Sequence, residues 1–169
     1  KDGKWDDGTI TTDANITLNE CAGVFQYAQT CFEGLKAYTT EDGKIVCFRP
    51  DLNAVRMMET CERLKMPTFP VDRFIDAVEK VVKANEAWVP PFGSGATLYL
   101  RPYMFGTNPV IGVKPATDYQ FRAFCTPVGP YFKGGVKPLT IKVSDFDRAA
   151  PHGTGHIKAG LNYAMSLHA

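Results

Sequence analysis

The sequence lacks the features that mark several classes of protein. Its 19 basic and 18 acidic side chains nearly cancel, so no excess of one charge would attract nucleic acid or a membrane surface. No apolar run approaches the roughly 18 residues that a membrane helix needs, and the first residues do not follow the pattern of a secretory signal. We therefore predict neither a nucleic-acid partner nor a membrane partner.

Cysteine and histidine are scarce, and their spacing is typical of neither a disulfide framework nor a metal site. The five cysteines never occur as Cys-x-x-Cys, which favours reduced thiols in a cytoplasmic protein: Cys21, Cys31, Cys47, Cys61 and Cys125. His152 and His156 would have a ligand spacing in a helix, but Gly153 and Gly155 disfavour a helix there. We predict no metal site.

Hydrophobic residues make up 44% of the chain, which excludes a disordered protein, and their pattern in several segments predicts strands. Asp-Gly pairs in "WDDGTI" and "TTEDGKIVCF" predict two hairpins, the second joining strands near 35–40 and 44–48. In "ATLYLRPYMF", Leu98 and Leu100 alternate with Tyr99, Arg101 and Tyr103, which predicts a strand with one apolar face. "DYQFRAFCTPV" and "LTIKVSDF" are predicted as further strands.

Two segments have helical periodicity. The first begins after Pro50 with Asp51 as its predicted N-cap and ends at Pro67, and its predicted buried stripe is Leu52, Val55, Met58, Cys61 and Leu64. The second has the stripe Phe74, Ile75, Val78, Val81 and Val82. Two consecutive helices among strands predict an α+β fold with a mainly antiparallel sheet.

The last part of the chain differs from the rest. A glycine-rich loop precedes "LNYAMSL", which resembles the first turns of a helix that needs further chain to pack against. We predict an N-terminal α+β domain over residues 1–133, and over 134–169 a linker followed by the beginning of a second, cofactor-binding domain.

Three basic residues are candidates for chemistry, each with an ordinary alternative. Lys158 is either a solvated surface charge or an amine partly desolvated by apolar neighbours, which would favour Schiff-base formation. A nucleotide P-loop is excluded because Ile157 and Ala159 flank that lysine. Tyr99 and Arg101, on one strand face, could bind a carboxylate or form part of an exposed surface. Arg56 could be solvated or bind a phosphate.

Five blocks, in this order, resemble the branched-chain amino acid aminotransferases: "YAQTCFEGLKAY", "FRPDLNAVRM", "LYLRPYMFGTNPVIGVKP", "PVGPYFKGG" and "GTGHIKAGLNY". The resemblance runs from about residue 15 to the end of the chain. It implies a pyridoxal phosphate enzyme of fold type IV, active as a homodimer. Such enzymes are roughly twice as long, so we expect this chain to be the N-terminal half of one. Gly160-Leu161 replaces the usual Gly-Gly after the lysine, from which we expect altered local backbone.

The resemblance also implies roles for individual residues. Lys158 matches the lysine that forms the Schiff base with pyridoxal phosphate, Arg56 the ligand of its phosphate, and Tyr163 the tyrosine near the ring oxygen. Tyr99 and Arg101 match a pair that receives substrate carboxylates, and the remaining matches are pocket walls and loop residues that the neighbouring subunit contributes: Tyr27 and Phe32 for the walls, Ile111 and Val113 for the loop.

The implied activity is transamination of leucine, isoleucine and valine with 2-oxoglutarate, giving branched-chain 2-oxo acids and glutamate. Two alternatives within the same fold stay open, a D-amino acid aminotransferase and an aminodeoxychorismate lyase. A third alternative, of a different class, concerns the chain by itself: a non-catalytic folded module that dimerises. A half-site without the rest of its phosphate cup would hold the cofactor weakly, so we expect the isolated chain to be inactive.

Overall fold

The computed structural model describes residues 3–168, which form a five-stranded sheet with two long helices on one face. In chain order the elements are α1 (Gly23–Tyr27), β1 (Thr30–Phe32), β2 (Leu35–Thr39), β3 (Ile45–Cys47), α2 (Pro50–Arg63), α3 (Val71–Ala84), a 3₁₀ turn (Glu86–Trp88), β4 (Thr97–Gly106), β5 (Tyr119–Val128), α4 (Gly160–Met165) and a final 3₁₀ turn (Ser166–His168).

Strand β4 is the centre of the sheet. It pairs with β5 along all ten of its residues, and β1 and β2 follow one another along its other edge. The β2–β3 hairpin completes the sheet, with its turn at Asp42-Gly43 as predicted. Every pairing is antiparallel, so the predicted α+β class and antiparallel sheet are confirmed.

The core lies between one face of the sheet and helices α2 and α3. Alternation along β4 buries Leu98 and Leu100 and leaves Tyr99 and Arg101 on the opposite face, as the sequence predicts. From α3, the predicted stripe supplies Phe74 and Val78 to the core, each 1% exposed. One face of the sheet therefore packs in the hydrophobic core, and the polar side chains of the site lie on the other face.

The predicted buried stripe of α2 is confirmed at Cys61, which is buried, and at Leu64, which packs against the core, but it is wrong at Leu52 and Val55. Leu52 is 53% exposed and Val55 41% exposed, whereas the face against the sheet consists of Ala54, Met57, Thr60 and Cys61. Two adjacent stripes along this helix have the same helical period. The stripe that is buried contains the small residue Ala54 and the polar residue Thr60, which a search for large apolar residues does not count. The exposed residue Leu52 lies about one helical turn before Arg56.

The predicted cap of α2 is also wrong. The helix begins at Pro50, a residue whose fixed φ suits the first helical position, and Arg49 occupies the N-cap. Asp51 lies inside the first turn, where its carboxylate accepts two hydrogen bonds from the Arg49 guanidinium at 2.9 and 3.0 Å. The helix ends at Arg63, four residues before Pro67.

Two predicted strand segments have no sheet partner within residues 3–168. "WDDGTI" has no regular secondary structure: the backbone N–H of Gly8, at φ +70°, donates to the Asp6 carboxylate, and no strand flanks it. "LTIKVSDF" forms no strand and is exposed, with Ile141 85% and Val143 90% accessible. Apolar alternation predicts a strand only where a neighbouring strand can bond to it. Over the same described residues, no helix has the length and apolar character needed to cross a membrane.

Candidate active site

Lys158 lies where the glycine-rich turns at 151–156 meet the sheet. Its backbone N–H donates to the Thr60 hydroxyl oxygen on α2 at 3.2 Å, and its carbonyl accepts from the N–H of Phe32 on β1, also at 3.2 Å. The next residue, Ala159, forms a bridge with Cys31. The loop that carries the lysine is therefore fixed to both layers of the core, and the side chain projects from a defined backbone.

The Lys158 amine lies beside two aromatic rings that contact each other. Its Nζ donates to the hydroxyl of Tyr163 at 2.8 Å. The same nitrogen lies 4.7 Å from the centre of the Phe32 ring and 5.2 Å from the centre of the Tyr163 ring. The two rings are themselves in contact, with centroids 5.0 Å apart. Helix α4 starts at Gly160, two residues after the lysine, and its first turn places Tyr163 beside the amine.

Asn162 fixes the shape of the lysine loop, and the sequence analysis missed it. The side chain is fully buried. Its amide donates to the carbonyls of Thr154 at 2.7 Å and Ile157 at 3.0 Å, and its oxygen accepts from the Thr154 hydroxyl at 2.9 Å. One residue thus satisfies three polar groups of the loop. Leu161, beside it, lies inside α4 and is not among the residues with positive φ, so the departure from Gly-Gly does not strain the backbone.

Arg56 on α2 is bound to a buried carboxylate. Its Nε donates to Oε1 of Glu33 at 2.7 Å and its Nη2 to Oε2 at 2.6 Å, while the Asn53 amide donates to the same Oε2 at 2.8 Å. Glu33 is fully buried, and the Arg56 side chain is half exposed. The hydrogen bonds that Arg56 donates to Glu33 raise the pKa of the Arg56 guanidinium, against an opposing effect of burial, and the negative charge of Glu33 adds to the rise. The cation is permanently charged and close to the lysine cluster.

Tyr99 and Arg101 form a pair on the open face of β4, as predicted. The Arg101 guanidinium donates to the Tyr99 hydroxyl from Nη2 at 2.9 Å and from Nε at 3.2 Å. The guanidinium carbon also lies 4.4 Å from the centre of the Phe32 ring, the same ring that contacts the Lys158 amine. Phe32 therefore joins the lysine, the arginine and the two tyrosines in one cluster.

Tyr27, Ile111 and Val113 form a separate group. The Tyr27 hydroxyl donates to the carbonyl of Ile111, and the side chains of Ile111 and Val113 are 73% and 85% exposed. Within residues 3–168, no hydrogen bond or ring contact joins these three residues to Lys158. In the same part of the chain, no group of three histidine, cysteine, aspartate or glutamate side chains could hold a metal ion.

Gly34 leaves room for the Tyr99 hydroxyl. A methyl group on Gly34 would overlap that hydroxyl oxygen and lie 3.1 Å from the ring carbon that bears it. We expect Gly34→Ala to push the hydroxyl away from Arg101 and to lower the free energy of unfolding by about 1–3 kcal/mol, the usual cost of overpacking. Urea unfolding measures the loss.

Two controls separate this overlap from a general effect of alanine. Gly112→Ala adds a methyl group to a position with no atom within 4 Å, so it should leave stability unchanged. Tyr99→Phe removes the overlapping oxygen, so the double variant with Gly34→Ala should recover most of the loss. No recovery in the double variant would show that the hydroxyl is not the cause.

These elements define a class of protein: an antiparallel α+β domain whose open face and following loop bring a lysine amine, two phenols and a guanidinium group together. Solved structures of the same fold are branched-chain aminotransferases. The Escherichia coli enzyme superposes with a TM-score of 0.66 at 25% identity, over 89% of this chain and 49% of that one. The enzyme from Thermoproteus uzoniensis, solved with norvaline, superposes with a TM-score of 0.72 at 21% identity, over 98% and 53%.

Sequence comparison leads to the same enzymes. The chain is 54% identical to the branched-chain-amino-acid aminotransferase of Haemophilus influenzae over 167 residues, and 48% identical to that of Helicobacter pylori over 169. These alignments cover 99% of the chain and 49% and 50% of the relatives, so the chain spans about half the length of the curated relatives it matches. No family model matches. The resemblance to the branched-chain aminotransferases is confirmed over nearly the whole chain.

Proposed function

We propose that this chain is the lysine-bearing half of a branched-chain amino acid aminotransferase that transfers the amino group of leucine, isoleucine or valine to 2-oxoglutarate. The observation that supports this most is the Lys158 amine, 2.8 Å from the Tyr163 hydroxyl and in contact with the Phe32 ring. Relatives of that name at 43–54% identity favour it over D-amino acid transamination and over aminodeoxychorismate cleavage.

The residues of the site fit pyridoxal phosphate. Lys158 offers an amine that can bond to an aldehyde carbon, and Tyr163 offers a hydroxyl beside it. Arg56 offers a guanidinium of which one edge is open. When bound, the cofactor supplies an electron sink for negative charge at the substrate Cα. The phosphate would be held by Arg56, and the ring oxygen would face Tyr163.

The side chains then have distinct tasks in the reaction. Lys158 Nζ would take the proton from the Cα of the donor amino acid and, in the second half-reaction, would deliver a proton to the Cα of the 2-oxo acid, because its amine stays in place as a base. Phe32 and Tyr27 would form apolar walls for a branched side chain. Arg101 would pair with the distal carboxylate of glutamate or 2-oxoglutarate, which admits a charged substrate into the same apolar pocket.

Other parts of the proposal follow from the same likeness. We propose a cytoplasmic homodimer in which Ile111 and Val113 reach the partner's pocket, and their exposure supports an intersubunit role. We also propose that residues 1–133 form one domain and that 134–169 lead into a second. Because the chain spans about half of its relatives, turnover is proposed for the longer enzyme, and binding is tested on the chain itself.

Mapping of the bound cofactor tests the proposal directly. The chain is mixed with pyridoxal phosphate, reduced with borohydride and digested, and the modified peptides are quantified by mass spectrometry. We expect one added cofactor, on the peptide that contains Lys158. Equal modification of many exposed lysines would contradict the site. Pyridoxal without phosphate is the matched control, and it should label Lys158 less because Arg56 has nothing to bind.

A substrate panel tests the activity of the longer enzyme. We expect amino transfer to 2-oxoglutarate from leucine, isoleucine and valine, and none from D-alanine. Transfer from D-alanine without transfer from leucine would replace the proposal by the D-amino acid alternative.

A further inference from the structure

Glu33 is a buried carboxylate that the proposed reaction does not use. It lies in the two-residue connection between β1 and β2 and is fully buried. A buried carboxylate is stable only when charged and polar groups compensate it, and here Arg56 and Asn53 do so with three hydrogen bonds of 2.6–2.8 Å. Burying this ion pair carries a desolvation penalty that an apolar pair in the same place would avoid. Packing alone therefore does not explain the burial of Glu33.

The geometry of the pair leaves one edge of the arginine open. Glu33 binds Arg56 from the side, through Nε and one hydrogen of Nη2. A guanidinium has five N–H donors, so both hydrogens of Nη1 and the second hydrogen of Nη2 remain. Within residues 3–168, no hydrogen bond uses Nη1, and the side chain is half exposed. The open edge has the two-donor geometry that suits two oxygens of a phosphate.

We propose that Glu33 is a positioning residue, which presents the open edge of Arg56 to the phosphate of the cofactor; this inference rests on the proposed function. An unrestrained arginine on a helix loses rotamer freedom when it binds an anion. An arginine already fixed by a buried carboxylate has lost that freedom in the folded chain. Asn53 supports the arrangement by holding Oε2 of Glu33 in place.

Positioning and simple electrostatics predict opposite signs. Glu33→Gln removes one negative charge next to Arg56, which by charge alone would strengthen phosphate binding. If Glu33 acts by fixing the guanidinium, the same change releases the open edge and weakens binding. We expect weakening, by about tenfold in dissociation constant, because a side-on pair of charge-assisted hydrogen bonds is lost.

The experiment measures binding of pyridoxine 5′-phosphate, which carries the phosphate but no aldehyde and so cannot bond to Lys158. Equilibrium dialysis gives its dissociation constant for the original chain and for Glu33→Gln. Asp51→Asn is the matched control: Asp51 forms the same side-on pair with Arg49 on the same helix, and the substitution removes the same charge. We expect this control to leave binding unchanged.

Arg56→Gln completes the comparison. It should weaken binding by itself, and adding Glu33→Gln to it should have no further effect. A further loss in the double variant would mean that Glu33 acts on the fold and not through Arg56, which overturns the inference. If Glu33→Gln binds pyridoxine 5′-phosphate as tightly as the original chain or more tightly, while Arg56→Gln binds it weakly, the positioning role of Glu33 is overturned and the phosphate site at Arg56 stands. No loss in Arg56→Gln overturns both this inference and the proposed phosphate site.

A second variant applies if Glu33→Gln does not fold, as judged by near-ultraviolet circular dichroism. Asn53→Ala removes the hydrogen bond to Oε2 and leaves the charge pair in place. We expect it to weaken pyridoxine 5′-phosphate binding by about threefold, less than the effect of Glu33→Gln, because both hydrogen bonds from Arg56 to Glu33 remain. Unchanged binding in a folded Asn53→Ala chain would count against positioning.

Discussion

Replacing Lys158 by alanine is expected to abolish covalent capture of pyridoxal phosphate while leaving the chain folded. Among the residues that the structure describes, Lys158 is the one whose amine contacts both Phe32 and Tyr163, and an amine is a nucleophile for an aldehyde. Alanine keeps the backbone hydrogen bonds with Thr60 and Phe32, so the loop should remain in place. Intact mass after borohydride reduction measures the capture.

Two further variants show whether the loss is specific. Lys83→Ala, an exposed lysine in the last turn of α3, should leave capture unchanged. Lys158→Arg keeps a positive charge beside the rings but cannot bond to the aldehyde, so it should fail like alanine. In the longer enzyme, we expect Lys158→Ala to slow transamination by at least about 10²–10⁴-fold, the usual contribution of a positioned base. Capture that persists in Lys158→Ala would refute the assignment.

Local pattern was sufficient where one contact decides the structure. The alternation of β4 is set by a single buried face, and the stripe of α3 by a single layer of core contacts, so both could be predicted. The β2–β3 hairpin depends on an Asp-Gly turn between adjacent strands, and it too was predictable.

Local pattern failed where a distant segment decides. Residues 139–146 alternate like a strand, but the described chain offers them no strand to pair with. Helix α2 has two stripes of equal period, and the sheet packs on the one that contains Ala54 and Thr60. The number of apolar residues favours the other stripe, in which Leu52 and Val55 remain exposed and only its C-terminal part reaches the core.

The site, like the fold, contains residues that the sequence predicted and residues that only the structure identifies. Lys158, Tyr163, Arg56, Tyr99 and Arg101 were named from motifs, whereas the residues that hold them were not. Glu33 and Arg56 are 23 positions apart, and Thr60 and Lys158 are 98 apart. No periodicity links residues at such separations, because only the packing of α2 on the sheet brings them together. The residues that hold the site in place, such as Glu33 and Thr60, can therefore be identified from the structure but not from the sequence pattern.

Replacing Asn162 by alanine is expected to release the loop that holds Lys158. The substitution leaves the carbonyls of Thr154 and Ile157 without their donor in a buried setting. An unsatisfied buried group costs about 1–3 kcal/mol, and the bond to Thr154 is only partly buried and so adds about 1 kcal/mol, so the loop should lose about 2–4 kcal/mol of local stability. Amide hydrogen exchange measures it: protection at the amides of Lys158 and Phe32, which bond across the loop contact, should fall about 30- to 1,000-fold.

The expected loss is local, and this distinguishes it from general destabilisation. The amide of Val78, in the middle of α3 and away from the loop, should keep its protection in the same sample. Asn162→Asp retains the oxygen that accepts from the Thr154 hydroxyl but loses both donors, so it should release the loop nearly as much. Capture of pyridoxal phosphate should decline with the loss of protection, because the amine is then no longer held beside Tyr163. Full protection at Lys158 in Asn162→Ala would show that the contacts with Thr60 and Phe32 fix the loop without the buried amide.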